Sequence, residues 1–205
     1  AEKGIKNIAI FQNFVIASSI VKNSYKTVFY AIHLAGGHKV WEVEVNIKVY
    51  DWDISTGSQV IAFSGADENG FYLGSLDIAI GKIDSLKESI FIKKIKIWRD
   101  EIYLLTKNRT LYHATQRNFP DRSLLAENVT KVMRFHSSLF FLTSDQGSSE
   151  QKKPVDICHW NLEKKVLHKM TLDSDSTNLI YLPAKVQGQV VIWPYQNNQM
   201  VMFDL

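Results

Sequence analysis

Cysteine is nearly absent from this sequence, with Cys158 standing alone among 205 residues. A single thiol cannot form a disulfide within the chain, and the paired cysteines of a zinc site are missing with it. The six histidines are scattered and give no H-x-x-x-H pair. We therefore expect no disulfide framework and no metal site, and the lone thiol favours an intracellular compartment, the cytoplasm or the nucleus. The sequons Asn108-Arg-Thr110 and Asn128-Val-Thr130 leave secretion open as an alternative.

Excess charge and long apolar runs are also lacking. Lys and Arg number 24 against 21 Asp and Glu, a net charge of only +3. This falls short of the basic stripe of nucleic-acid-binding proteins, so we do not expect nucleic acid as a partner. No run of about 18 apolar residues occurs, so no membrane span is predicted, and the first residues, AEKGIKNIAIF, lack the apolar core of a signal peptide.

Short apolar runs fill the chain instead. They are rich in β-branched and aromatic residues and are bounded by Gly, Asn, Asp or Ser, as β-strands are. The first four runs are Ile8–Phe11, Phe14–Ala17, Thr27–Ile32 and Lys39–Val45. The best candidate for a helix, Leu76–Leu86, is broken by Gly81-Lys82, which is typical of a turn. The pattern predicts an all-β protein.

The predicted turns recur at a steady interval. One series has its centres near residues 24, 68, 108, 150 and 197, and a second near residues 37, 81, 121 and 164. Both series keep a period of about 42 residues, which is the length of a four-stranded propeller blade. Cutting at this period gives blocks 5–45, 46–89, 90–128, 129–173 and 174–205. Four blocks hold four candidate strands each, whereas the last holds three, at 178–182, 189–193 and 199–205.

These observations predict a β-propeller of four-stranded antiparallel blades. About five blades are visible, the last lacks its outer strand, and the chain is a single propeller or a fragment of one. An open five-bladed ring would leave an unpaired sheet edge, so we expect either a fragment of a larger ring or a ring completed by another chain.

Three segments resemble known propeller repeats. Residues 26–42 (KTVFYAIHLAGGHKVWE) and 70–82 (GFYLGSLDIAIGK) resemble the repeat of quinoprotein-like, PQQ-type propellers. Val49–Gly57 (VYDWDISTG) is similar to the W-D-x-x-T-G turn of WD40 repeats. The resemblance implies the propeller fold. It carries over no functional residue, because no Gly-His pair opens the blocks and the tryptophans at 41, 52, 98, 160 and 193 occupy non-equivalent strand positions.

Two clusters of acidic and hydroxyl residues invite comparison with calcium loops. Asp51, Asp53 and Ser55 match the first three oxygen positions of such a loop, but Gly57 is one place late and Ala62 stands where a bidentate glutamate is needed. Asp173–Thr177 fails in the same way. We interpret the first cluster as hairpin capping through Asx turns and the second as a solvated loop.

Catalytic residues are not evident. Cys158 precedes His159, but consecutive strand residues point to opposite faces, so the pair cannot act as nucleophile and base. We expect Cys158 to be a buried structural residue. A phosphate-binding loop and a G-x-S-x-G motif are both missing. The sequence therefore predicts no catalytic, cofactor-binding or metal-binding residue and no cofactor.

The most basic stretch, residues 93–99 (KKIKIWR), is our principal candidate for a partner contact. Strand alternation places Ile95 and Ile97 on one face and Lys94, Lys96 and Trp98 on the other, which we expect to be exposed. Trp193 and Tyr195 are further candidates, and the polar stretch 144–154 is predicted to be a surface insertion.

The leading functional hypothesis is a non-enzymatic protein–protein interaction scaffold within a larger assembly. Its expected partners are other proteins, including a chain that completes the last blade. One alternative is a carbohydrate-binding, lectin-like propeller with aromatic pockets at equivalent blade positions. Another is an enzyme of the quinoprotein type, but the sequence offers no set of ligands for its cofactor.

Overall fold

The computed structural model describes residues 3–55, 57–115, 121–144, 155–172, 185–187, 190–194 and 200–204, with side chains described between residues 4 and 171. Every regular element among these residues is a β-strand. The strands form four sheets of four strands and a fifth sheet of three, and within each sheet the strands follow chain order. The predicted all-β class, with four-stranded antiparallel sheets and an incomplete last sheet, is confirmed.

The strand bounds are as follows. The first sheet contains β1–β4 (Lys3–Phe11, Phe14–Val21, Thr27–His33, Lys39–Val45) and the second β5–β8 (Lys48–Ser55, Val60–Asp67, Gly70–Asp77, Ile83–Glu88). The third contains β9–β12 (Ile92–Trp98, Glu101–Thr106, Leu111–Thr115, Arg122–Ala126) and the fourth β13–β16 (Val129–Phe135, Ser138–Ser144, Val155–Asn161, Val166–Leu172). The fifth contains β17–β19 (Lys185–Gln187, Val190–Pro194, Met200–Asp204). The predicted strand at 178–182 lies outside the described residues.

The chain divides into two compact units. The first comprises Ala1–Lys107 with His113–Ser123, and the second comprises Asn108–Tyr112 with Leu124–Leu205. The first unit therefore contains the first two sheets together with β9 and β10. The second unit contains the fourth and fifth sheets.

A β-bulge recurs near the start of the first strand in four of the sheets. The register shifts leave one extra residue in each of these strands, namely Lys6, Tyr50, Lys93 and Thr130. A bulge bends its strand and increases the local twist. Because it recurs at the same place, residues of different sheets can be matched by counting from it.

The hairpin corners repeat in the same way. The corner between the first and second strands has a residue with positive φ in four sheets, Gln12 (50°), Gln59 (54°), Arg99 (54°) and His136 (48°). The corner between the third and fourth strands uses Gly37 and Gly81, with φ of 62° and 68°. Positive φ fits the tight connections that a right-twisted hairpin requires.

The core of the first unit lies between its first two sheets. Phe29 and Phe63 are fully buried, with ring centroids 5.7 Å apart. Trp52 is 6.0 Å from Phe29, and its Nε1 donates a hydrogen bond to Ser18 Oγ at 2.8 Å. The backbone N–H of Val49 donates to Thr27 Oγ1 at 2.9 Å. Buried polar groups of the two sheets thus satisfy each other within an apolar interface.

Alternate residues of β5 bind alternate residues of β9. Asp51 Oδ2 accepts the Ile95 N–H at 2.8 Å, and Asp53 Oδ2 accepts the Ile97 N–H at 2.9 Å. Further along, Ser55 Oγ donates to the carbonyl of Arg99 at 2.5 Å. The prediction of hairpin capping is therefore wrong for the two aspartates, because these side chains tie the second sheet to β9. It is confirmed for Ser55, whose Oγ accepts the Ser58 N–H at 3.2 Å.

Glycine at position 74 is required by close packing. A Cβ there would meet the ring of Phe63 and lie 2.9 Å from the Asp84 carbonyl oxygen. We expect Gly74→Ala to lower the free energy of unfolding by about 1–3 kcal/mol, the usual cost of overpacking. Urea unfolding would measure the change. Gly4→Ala is the matched control, since nothing lies within 4 Å of its added methyl group, and equal midpoints for the two variants would contradict the packing argument.

Candidate protein-binding surfaces

The first candidate surface is one face of the first sheet, which we call the isoleucine face. It contains Ile5, Ile8 and Ile10 of β1, which are 65%, 60% and 72% exposed. In the β1–β2 register, Ile8 pairs with Ala17 and Ile10 with Val15, so these side chains share the face. Three neighbouring isoleucines exposed on one strand are unusual, because large apolar side chains are normally covered when they cluster.

The opposite face of β1 is packed. Phe11 is buried, and Ala9 lies against the same core cluster, which also contains Trp52 and Phe63 of the second sheet. The first sheet therefore buries one of its faces against the second sheet and leaves the isoleucines of the other face open.

Counting from the bulges identifies the residues equivalent to Ile8 and Ile10. In β5 they are Trp52 and Ile54, each 7% exposed, and in β9 they are Ile95 and Ile97, 0% and 1% exposed. Trp52 contacts Ser18 and Phe29 of the preceding sheet, and β9 lies against β5 and β6 of the sheet that precedes it. In these two sheets the positions serve to pack against a preceding sheet.

The second candidate surface is a pocket that we call the aromatic pocket. It has a volume of about 640 Å³ and is lined by Tyr50, Phe71, Phe91, Lys93 and Lys107. The Phe91 ring lies 4.8 Å from Tyr50 with the two planes inclined by 53°, and 5.3 Å from Phe71 with an inclination of 81°. The backbone supports this arrangement, because the Lys107 N–H donates to the Phe91 carbonyl at 2.9 Å. Two of the lining residues, Tyr50 and Lys93, are bulge residues.

Lysines surround the pocket. Lys93 and Lys107 are exposed and belong to no ion pair within the described part of the chain. Lys6 Nζ donates to the carbonyls of Val49 and Tyr50, both at 3.1 Å, and lies 6.0 Å from the centroid of the Tyr50 ring. Burial lowers the pKa of Lys6, against the opposing effect of the Asp51 charge.

The residues predicted for partner contacts are placed differently from expectation. Lys94 is 48% exposed but forms an ion pair with Asp51 at 3.1 Å. Lys96 and Trp98 are only partly exposed, because their face of the sheet also carries the buried Tyr103, which pairs with Lys96. The expectation of an open strand face is therefore wrong for these two residues.

The side chains of the other predicted partner contacts are not described by the structure. Trp193 lies in β18, where only the backbone is described. Tyr195 lies outside the described residues, as does the polar stretch 144–154 apart from Ser144, which ends β14.

Cys158 and His159 do not form a catalytic pair. They face opposite sides of β15, pairing with Phe141 and Phe140 respectively, and Cys158 is 4% exposed. Burial is the largest influence on the Cys158 thiol and raises its pKa, which disfavours the nucleophilic thiolate. The predicted burial of Cys158 and its divergence from His159 are confirmed. No cluster of His, Cys, Asp and Glu among the described residues is arranged to hold a metal ion.

His159 instead forms a buried hydrogen bond, with its Nε2 3.0 Å from Ser138 Oγ. Its ring stacks between Phe140, at 4.8 Å, and His168, at 5.7 Å. Ser138 is 1% exposed, so this hydroxyl is not presented to a substrate. The pair stabilises the fourth sheet.

Burial, with a smaller contribution from His168, lowers the pKa of His159 below its ordinary value of 6.5. The unfolded chain therefore binds the proton more readily, and this contribution to stability is present above pH 6.5 and is lost as the pH falls through the lowered pKa. We expect His159→Gln to flatten the acid side of the stability profile between pH 7.5 and 5, measured by urea unfolding. His136→Asn, at an exposed turn, is the control and should leave the slope unchanged. An unaltered slope in the His159 variant would refute the assignment.

None of the described segments is a helix with the length and apolarity needed to cross a membrane.

Comparison with known proteins shows similarity in structure alone. No protein-family model matches the chain, and no curated protein matches it in sequence. Solved β-propellers superpose on nearly all of it. The Neurospora crassa Pan2 WD40 domain has a TM-score of 0.62 at 12% identity, covering 98% of this chain and 61% of that one. The β-propeller domain of the trilobed protease from Pyrococcus furiosus, described as having an open velcro topology, has a TM-score of 0.62 at 11% identity, covering 98% and 68%.

A computationally designed protein, Ika8, is also similar, with a TM-score of 0.61 at 10% identity. The chain covers 58% of that protein, so it spans about three fifths of the length of such structures. These superpositions confirm the predicted propeller fold. Because the sequence identities are so low, they leave the type of propeller repeat undetermined.

Proposed function

We propose that this chain is a non-enzymatic protein-interaction scaffold that works within a larger assembly. Its isoleucine face receives a β-sheet from another polypeptide, which packs there as the first sheet packs against the second. The observation that carries the proposal is the contrast between Ile8 and Ile10, which are exposed, and the equivalent Trp52, Ile54, Ile95 and Ile97, which are buried against a preceding sheet.

The energetic case rests on apolar area. Covering a large aliphatic side chain contributes about 1.5–3 kcal/mol, so three isoleucines favour association by several kcal/mol before its entropic cost is subtracted. A sheet is the occupant that fits, because sheet faces pack with apolar side chains interdigitated at a fixed spacing. The same arrangement already covers the other face of the first sheet.

Carbohydrate binding receives no comparable support. A lectin-like propeller needs aromatic residues at equivalent blade positions, whereas Trp41 lies in the fourth strand of its sheet, Trp52 in the first and Trp160 in the third. We propose no enzymatic role either, since the buried Ser138 and the divergent Cys158 and His159 offer no accessible nucleophile with its base.

Site-specific crosslinking tests the proposal. A photo-crosslinking amino acid would replace Ile10 in cells of the native source, and mass spectrometry would identify the captured peptide. We expect a defined peptide of strand-like sequence from another polypeptide. The control is the same amino acid in place of Ile80, which is 71% exposed on a turn of the second sheet.

A charge-introducing variant sharpens the test. Ile8→Lys/Ile10→Lys should reduce recovery of the captured protein by at least about tenfold, because burying two charges in an apolar interface is strongly unfavourable. Ile80→Lys should leave recovery unchanged. Equal crosslinking from positions 10 and 80, or equal recovery with both variants, would refute the proposal.

A further inference from the structure

We propose that the aromatic pocket is a second, independent binding site, which takes a peptide segment whose apolar anchor side chain is flanked by carboxylates. The site goes beyond the docking of a sheet on the isoleucine face, since it lies on different residues and suits a different kind of ligand. The argument rests on the shape of the pocket, on its charge, and on the way the sheets build it.

The shape favours a single bulky side chain. Phe91 is inclined by 53° to Tyr50 and by 81° to Phe71, so the three rings form a concave cup and present no flat platform. All three rings are only partly buried. A volume of about 640 Å³ falls within the range typical of ligand pockets, and an apolar lining with a few polar groups at the edge is their usual composition.

The charge favours an acidic ligand. Lys93 and Lys107 line the pocket, and Lys6 lies over Tyr50. Lys48 and Lys94 act on Lys6 as further positive charges, whereas the opposing negative charge is that of Asp51, which already binds Lys94. This set of charges attracts carboxylates.

Glu88 does not offset the positive charge of the pocket. It pairs in register with Phe71, but its carboxylate binds Arg122 at 3.0 Å.

The same lysines argue against a cationic ligand. Three aromatic rings around a cavity are the usual basis for binding an ammonium group through cation–π contacts. Here a bound cation would face Lys93 and Lys107, and none of the lining residues is acidic. The surrounding charge therefore selects against the ligand that the rings alone would suggest.

A peptide fits better than single-stranded nucleic acid. Nucleic-acid channels combine a basic groove that follows the backbone with aromatic faces on which successive bases stack. The mutually inclined rings offer one cup in place of a series of parallel faces, which suits one anchor side chain better than a run of stacked bases.

The bulges explain why the pocket occurs where it does. Tyr50 and Lys93 are the extra residues of β5 and β9, and a bulge re-aims a side chain that regular pairing would hold in the sheet. Phe71 is the second residue of β7, Phe91 precedes β9, and Lys107 follows β10. The pocket thus forms at one end of neighbouring sheets, where loops commonly carry binding residues.

Titration of the purified chain with defined peptides tests the proposal. The probe is the acetylated and amidated pentapeptide EDFED, compared by calorimetry with QNFQN, which keeps the anchor without charge, and EDAED, which keeps the charge without the anchor. We expect EDFED to bind at least about tenfold more tightly than either, a difference of about 1.4 kcal/mol. Equal binding of all three peptides, or no binding of EDFED at 1 mM, would overturn the proposal.

Charge reversal locates the site. Lys93→Glu/Lys107→Glu should weaken EDFED binding at least about tenfold. The control Lys82→Glu/Lys164→Glu reverses two exposed lysines that do not line the pocket, and it should change binding by less than twofold. Circular dichroism would verify that both variants fold, and the ring resonances of Tyr50 and Phe71 should shift on titration. An unchanged affinity in the first variant would overturn the assignment.

Two further measurements separate this site from the alternatives. Ile8→Lys/Ile10→Lys should bind EDFED as the unaltered chain does, so failure of the isoleucine face and failure of the pocket can be told apart. A single-stranded oligothymidylate that bound more tightly than EDFED and lost affinity in Lys93→Glu/Lys107→Glu would assign the pocket to nucleic acid and overturn the proposal.

Discussion

Replacing Phe63 with alanine is expected to lower the free energy of unfolding of the first unit by about 3–5 kcal/mol, the largest effect that we predict. Phe63 is fully buried, packs against Phe29 at 5.7 Å, and lies over Gly74, so little nearby structure is free to collapse into the space it leaves. Urea unfolding followed by tryptophan fluorescence would measure the loss.

Ile80→Ala is the matched control for this prediction. It removes a large apolar side chain that is 71% exposed, and it should change stability by less than about 0.5 kcal/mol. A Phe63 variant that unfolded at the same urea concentration as the control would show that the interface between the first two sheets does not form the core.

Replacing Asp51 with alanine should cost about 2–4 kcal/mol. Its carboxylate accepts the N–H of Ile95, a fully buried residue, and binds Lys94. An orphaned buried donor costs about 1–3 kcal/mol, and loss of the ion pair adds less because Lys94 is half exposed. The measurement is again the urea midpoint.

Two variants complete the test of Asp51. Asp51→Asn keeps an acceptor for the Ile95 N–H and should lose clearly less stability than the alanine variant. Asp84→Ala, which removes an exposed carboxylate from β8, should be close to neutral. If Asp51→Ala and Asp84→Ala proved equally stable, the link between the second sheet and β9 would be of no energetic consequence.

The series of four-stranded sheets could be predicted from the sequence because local turn residues determine where each strand ends. Each sheet is a meander, so its hairpin corners must carry turn-forming residues at intervals fixed by strand length, and Gly37 and Gly81 mark two of these corners. The all-β class follows from the same residues. The resemblance to PQQ-type and WD40 repeats pointed to the propeller class, and the solved structures support the class at low identity.

Contacts between sheets were harder to predict from the sequence. The sequence predicts a local turn for Asp51, yet its partners, Lys94 and Ile95, follow it by more than 40 residues. Likewise, strand alternation correctly placed Ile95 and Lys96 on opposite faces of β9. It could not reveal that the neighbouring strand β10 is buried. Such contacts depend on how one sheet lies against the next.

The aromatic pocket was missed for the same reason. Tyr50, Phe71 and Phe91 are widely separated in sequence and come together through the stacking of sheets. The sequence feature that could have indicated the pocket is the repeat itself, since Tyr50 and Lys93 are the bulge residues of successive sheets. An alignment of the repeats in that register would have shown that Tyr50 and Lys93 occupy equivalent positions.

Hydroxyl-radical footprinting of Ile8 and Ile10 tests the central claim most directly. In the purified chain both side chains should be modified readily, as should Ile80. In the assembly isolated from the native source, Ile8 and Ile10 should be protected severalfold while Ile80 remains reactive. Equal modification of Ile8 and Ile10 in the purified chain and in the assembly would contradict the account, because the isoleucine face would then remain uncovered where the protein works.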